Sequence, residues 1–142
     1  MKKILILFLA LLFFAGCAAA PKGDIVEIGE RFFLTRITDI VTHADNYEGR
    51  TVRFEGMFYA IHWDVTNRYH HYVVRRTYGC CGDDGYIGFE VELGDIPPPP
   101  EDAWVEVTGI LTRGDADGTS LLVVDVTSIT ELATRGAEFV SE

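Results

Sequence analysis

Basic residues are scarce in this chain. Twelve lysines and arginines stand against 22 aspartates and glutamates, a formal net charge of −10 over 142 residues. A surface of that sign repels phosphate backbones, so nucleic acid is not an expected partner. It also repels anionic lipid headgroups, so a basic patch is not what would hold the protein at a membrane. No apolar run reaches the roughly 20 residues of an ordinary membrane-spanning helix. Cysteine is limited to Cys17, Cys80 and Cys81, too few for a disulfide framework. Four of the five prolines form one run, 97–100, a stiff extended spacer that cannot pair in a sheet. Nucleophile elbow, phosphate loop, dinucleotide fingerprint and His-Glu-x-x-His are all missing, and no carboxylate pair stands out. An enzyme is therefore the least supported class.

What is present begins at the N-terminus. Lys2 and Lys3 precede an unbroken apolar stretch, Ile4 to Phe14, followed by Phe-Ala-Gly-Cys at 14–17. Basic start, apolar middle and small residues before a cut are the layout of a secretory signal. The cysteine after Ala15 and Gly16 resembles the lipobox of bacterial lipoproteins, in which the thiol is diacylated and becomes residue one. Phe14 stands where leucine is usual; ordinary secretion with cleavage near Ala18–Ala20 is the alternative. The lipobox implies residues 1–16 as a signal peptide, 17–24 as a lipidated tether through Cys17 and 25–142 as a single domain. Two or three acyl chains, at about 0.8 kcal/mol per buried methylene, would anchor the protein to the cell membrane or an outer membrane, outside the cytoplasm.

Within 25–142 the hydrophobic period changes. Ile25-Val-Glu-Ile and Phe32-Phe-Leu read as short extended pieces. Ile37, Ile40, Val41 and Ala44 recur at helical spacing, and Asn46 and Gly49 close that helix. From Thr51 the period is two. Strands are expected over Thr51–Ile61, Tyr69–Tyr78, Tyr86–Leu93, Ala103–Thr112 and Leu121–Val126, the last extended by Ser128–Leu132. Turns are expected at Asp64–Arg68, at Gly79–Gly85 and at Arg113–Gly118. Gly56 and Gly109 interrupt two strands where a bulge or bend would fall. Five strands bent at glycines predict an all-β fold: a small five-stranded OB-like Greek-key barrel with one short helix before it, plugging one end. A β-sandwich is the alternative.

Several stretches together resemble a known family. They are NYEGRTVRFEGMFY (46–59), VVRRTYGCCGDDGYIGFEVEL (73–93), AWVEVTGIL (103–111) and LLVVDVTSI. The chain is similar to the soluble C-terminal domain of the YcgQ-like permease-subunit proteins of bacteria, whose Arg-x-x-x-Cys-Cys-x-x-Asp core sits between OB-type strands. Arg76, Cys80, Cys81 and Asp84 match that core. The resemblance implies a membrane permease as partner. Family members reach the membrane through N-terminal spanning helices; this chain has the lipobox in their place.

The adjacent thiols leave three readings open. Gly79 and Gly82 allow a kink that would turn both sulfurs to one side. Two thiolates favour zinc or copper, completed by Asp83, Asp84, His62, His70 or His71. A disulfide between neighbours would be strained, because consecutive Cα atoms lie near 3.8 Å apart, and it would suit a thiol–disulfide sensor. The third reading is plain packing of one thiol as a small apolar group. Asp84-Gly85 is also an ordinary turn dipeptide, and Arg76 either pairs with an aspartate and holds the turn shut or is a solvated strand residue. His70 and His71 should face opposite sides of their strand, and His62 should lie across from Tyr69 or His70. The tyrosines at 47, 59, 69, 72, 78 and 86 read as core or edge residues of a pleated surface. The expected function is a non-catalytic, lipid-anchored binding or accessory module, with metal delivery or thiol sensing as alternatives.

Overall fold

The computed structural model describes residues 23–79, 82–116 and 119–141. In chain order the elements are β1 (Val26–Ile28), α1 (Phe33–Thr42), α2 (Ala44–Tyr47), β2 (Thr51–Trp63), β3 (Arg68–Gly79), β4 (Gly82–Glu92), β5 (Trp104–Ala116), β6 (Thr119–Glu131) and β7 (Phe139–Val140). Five of the strands close on themselves. Following the hydrogen bonds, β2 pairs with β5, β5 with β6, β6 with β4, β4 with β3, and β3 returns to β2. All these pairings are antiparallel except β4 with β6, where Glu90 lies beside Val123 in parallel. This is the five-stranded OB-type barrel the alternation predicts. The closing pairs β2–β3 and β4–β6 exclude the sandwich, which would leave two open sheets.

Alternation sets the inside of the barrel. Val52, Phe54 and Phe58 of β2 point inward with Val73, Phe89, Val91, Val107 and Val124, all nearly inaccessible. Phe54 and Phe89 meet edge to face across the interior at 5.6 Å. At Gly109 the β5–β6 register slips by one residue. A Cβ there would lie 2.5 Å from the Asp125 carbonyl oxygen, so only glycine lets the strands approach at that bulge. Gly56, by contrast, marks no slip. It sits just before β2 leaves β5 as its main partner and takes up β3.

The chain before the barrel departs from the expected layout in two respects, an earlier helix start and a second short helix. Phe32-Phe-Leu is not extended: Phe32 has φ 65° and Phe33 opens α1. Phe33, Ile37 and Ile40 recur at i, i+4 and i+7, and this stripe is buried in the barrel core. The helix thus plugs the barrel, and Val41 and Ala44, which helical spacing also selected, fall outside the buried stripe. A second short helix, α2, follows. Its Tyr47 hydroxyl donates to Asp39 Oδ2 at 2.5 Å, and His43 Nδ1 lies 3.0 Å from Asp39 Oδ1. The Tyr47 hydrogen bond first, then His43, hold the Asp39 carboxyl below the usual aspartate range. A depressed carboxyl adds stability above its unfolded pKa and loses it as pH falls through the folded one. By carboxyl-detected NMR titration, Asp39 should protonate below the ordinary aspartate range, and Tyr47→Phe should move its midpoint up. Unchanged titration in that variant would remove the hydrogen bond as cause.

The barrel strands run past their expected ends, and two of the extensions, in β4 and β5, take up most of an expected turn. β4 starts at Gly82 rather than Tyr86, with Gly79 paired to Gly82. β5 runs through Ala116, paired with Thr119, so the Gly- and Asp-rich stretch 113–116 is strand rather than turn. Pairing of Gly79 with Gly82, past a register shift after Thr77, and of Gly114–Ala116 with β6 overrides the low strand propensity of those residues. The proline run 97–100 carries no helix or strand, as expected.

The barrel has one splayed corner. β2 and β3 pair from Trp63–Arg68 to Met57–Val74 and then separate. β1 fills the vacated edge of β2, with Val26 beside Val52, and β7 fills that of β3, with Phe139 beside Arg76. Between them lies Arg75, 1% exposed. Its Nε donates to the Glu55 carbonyl at 2.9 Å and a terminal nitrogen donates to the Ala137 carbonyl at 3.0 Å. The Phe33 and Trp104 rings cover the guanidinium at 4.7 and 4.9 Å. Burial pushes its pKa down, opposed by the charges of Glu30 and Glu55. The bridge forms just where backbone pairing between β2 and β3 ends.

Candidate functional site

Core residues occupy the even positions of β2, yet the odd positions Met57, Tyr59, Ile61 and Trp63 are apolar as well. Period two sends these to the outer face. The same outer face carries Tyr72 and Val74 from β3, and Tyr86, Gly88 and Glu90 from β4. With Tyr59, Ile61 and Trp63 they form the floor of a cleft of about 640 Å³, while Met57 is fully buried outside its lining. Leu121 and Leu122 of β6 close one side; Val41, Ala44 and Arg113 extend it toward the helices. Ile61, Tyr86, Leu121 and Val41 are each more than two-fifths exposed. An apolar cleft on the β3–β4 face is where OB-type barrels hold ligands.

Local contacts fix the rings. Tyr59 and Tyr86 meet edge to face at 5.8 Å, and Trp63 lies over His70 at 4.7 Å. Burial raises the pKa of Tyr59 and Tyr72, and the Glu90 charge adds to the effect at Tyr72. Gly88 leaves the floor open. A Cβ there would collide with the Val73 backbone, so β3 and β4 approach too closely for any other residue. Gly88→Ala should cost more than the roughly 1 kcal/mol that separates most point variants from wild type. A urea midpoint equal to wild type would show that β3 and β4 separate without penalty.

The histidines expected near the thiols are dispersed. His62 lies across from Tyr69, as expected, with Nδ1 3.2 Å from Asp64 Oδ1. His70 Nδ1 lies 2.6 Å from Glu90 Oε1, at the edge of the cleft. His71, on the opposite face, stacks on Phe58 at 5.6 Å. Each imidazole thus has a partner of its own. Among the described residues no three His, Cys, Asp or Glu side chains gather as a metal site. Cys17, Cys80 and Cys81 lie outside the described residues. Asp83 and Asp84 belong to β4, but their side chains also lie outside them. Arg76 sits over the Phe139 ring at 5.8 Å. The Tyr59 hydroxyl, first among its neighbours, raises its pKa. Its Nε is buried without a hydrogen-bond partner among the described residues. Among the described residues no helix is long and apolar enough to cross a membrane.

The cleft is the feature that reading the sequence alone does not find. The signal was there: a strand apolar on both faces from Met57 to Trp63 must bury one face and offer the other to something else. The tyrosines at 59, 72 and 86, read as core or edge residues, are part of its lining.

Comparison with solved structures finds a small single-stranded DNA-binding protein from Streptomyces coelicolor. It is 17% identical, with 61% of this chain and 96% of that chain covered, at a TM-score of 0.38. The barrel rests on its own strand order and register, and a likeness of that strength adds nothing to it. No curated protein matches the chain. Residues 18–140 match the DUF1980 C-terminal domain, and the chain belongs to that family.

Proposed function

We propose that the protein is a non-catalytic binding module, lipid-anchored through Cys17 outside the cytoplasm, serving as accessory to a membrane permease or envelope assembly. The observation that carries the binding role is the open apolar cleft on the β2–β3–β4 face. Exposed apolar groups gathered in a concave, partly aromatic surface are retained when they meet a ligand. The anchor is supported by the lipobox-like residues 14–17, and the permease by the resemblance of 73–93 to permease-subunit proteins. The formal charge of −10 argues against nucleic acid in the cleft.

The test is crosslinking in cells from a photoreactive residue at Leu121, with the captured proteins identified. A membrane protein should be recovered from the wild-type background and lost when Cys17→Ser releases the anchor. Recovery of none, or equal recovery after release, would overturn the accessory role. Metal delivery through Cys80 and Cys81 is a separate proposal. It requires more zinc or copper in the purified wild type than in the Cys80→Ser, Cys81→Ser variant, and equal content removes it.

A further inference from the structure

Resting on the reading of the cleft as the binding site, we propose that its ligand is an organic cation with an apolar body: a quaternary or alkylated ammonium group, free or carried on a larger molecule. Four aromatic rings line the cleft, from Tyr59, Trp63, Tyr72 and Tyr86. Their faces carry negative potential and attract a weakly hydrated cation more than a neutral group of the same shape. Glu90 lies among them with its side chain 14% exposed. Its Oε1 pairs with His70, and Oε2 has no hydrogen-bond partner among the described residues. The Glu90 carboxylate sits in the cleft lining, 2.6 Å from the imidazole. The carboxylate charge is felt at Tyr72, whose phenol is pushed up by burial and then by Glu90.

Arg68, exposed and across from Trp63, stands outside the lining. Arg113 lines the cleft but is ion-paired with both Asp45 and Glu48, so this corner is net negative. Arg76, over Phe139 and outside the lining, touches the cleft only through its interaction with the Tyr59 hydroxyl and the Tyr86 phenol. The whole chain adds a field of the same sign as Glu90, at −10. Aliphatic walls from Ile61, Val74 and Leu121 supply the apolar contact that a hydrated metal or a small ammonium ion would not use.

The experiment titrates the purified chain with benzyltrimethylammonium, its neutral carbon isostere neopentylbenzene, and benzenesulfonate. Binding is read from tryptophan fluorescence, since Trp63 lines the cleft and Trp104 is buried. The cation should bind about 10-fold more tightly than the neutral isostere, and the sulfonate least; tenfold corresponds to about 1.4 kcal/mol, within the range of a desolvated cation–π site. Glu90→Gln, which keeps an acceptor for His70, should weaken cation binding and so reduce the preference, the four rings keeping the remainder. Glu92→Gln, on the same strand and outside the lining, should change nothing. Equal binding of cation and isostere, or an unaltered preference in Glu90→Gln, overturns the cation and leaves the cleft as a binding site. A signal that persists in Trp63→Phe, or no binding by any probe, overturns both.

Discussion

Replacing Arg75 with methionine is expected to destabilise the protein by about 3–5 kcal/mol, with the loss seen as a lower urea midpoint at unchanged slope. Methionine fills much of the same volume, so the cost is chiefly polar. The carbonyls of Glu55 and Ala137 each lose a charged donor, at about 1–3 kcal/mol apiece where they are left unpaired. The Phe33 and Trp104 rings lose the cation between them. Arg75→Lys should recover only part of the loss. An ammonium is a point charge and cannot reach two carbonyls on different strands while lying flat between two rings. Glu30 provides the control. Its Oε2 is 3.6 Å from Arg75 and accepts from the Ala137 backbone N–H at 2.9 Å, but the side chain is more than half exposed. Glu30→Gln should therefore cost no more than about 1 kcal/mol. A loss below 1 kcal/mol in Arg75→Met would mean that water reaches those carbonyls and that β1 and β7 hold the corner without the bridge.

The other surface ion pairs do not compare with it. Arg53 with Glu27, Arg135 with Asp102 and Glu138, and Arg113 with Asp45 and Glu48 each tie a flanking segment to the barrel. All have exposed partners, and pairs of that kind are worth about 0–1 kcal/mol and weaken with salt. They set where segments lie more than how firmly the barrel holds.

Why Arg75 escaped a reading of the sequence is instructive. Strict alternation puts it on the same face as Val73, which is inside. Arginine in a strand is nonetheless read as a solvated residue, because an unpaired guanidinium is costly to bury. Its partners settle the matter, and they come from 20 and 62 residues away, with Phe33 on a helix and Trp104 on another strand. No local pattern contains that information. The inward face of β4 was the opposite case. Phe89, Val91 and Leu93 alternate with charged or small residues, and all three are buried. There the local pattern is enough, because a two-residue period has only one way to meet a core. The cleft falls between these cases. Its residues were visible as apolar positions out of phase with the core, but the strand order that sets Tyr59, Tyr72 and Tyr86 side by side follows from barrel closure.

The plug formed by α1 yields the second large effect. Phe33, Ile37 and Ile40 are at most 2% exposed, and each lies in the barrel core. Ile40→Ala should cost about 2–5 kcal/mol, the transfer term plus the cavity it leaves. Ile37 and Ile40 share that cavity, so truncating both brings the loss near the whole stability of a small domain, about 5–15 kcal/mol. The double variant should then show no cooperative thermal transition and should expose apolar surface to a fluorescent dye. Val41 sits one residue further on the same helix, on its cleft-facing side and more than half exposed. Val41→Ala should leave stability within about 0.5 kcal/mol. The contrast separates two roles of one helix. The stripe at 33, 37 and 40 holds the barrel closed, and the residues beside it extend the surface on which the ligand would rest. If Ile37→Ala with Ile40→Ala still unfolded cooperatively near the wild-type midpoint, the five strands would be self-sufficient, and α1 would belong to the binding surface alone.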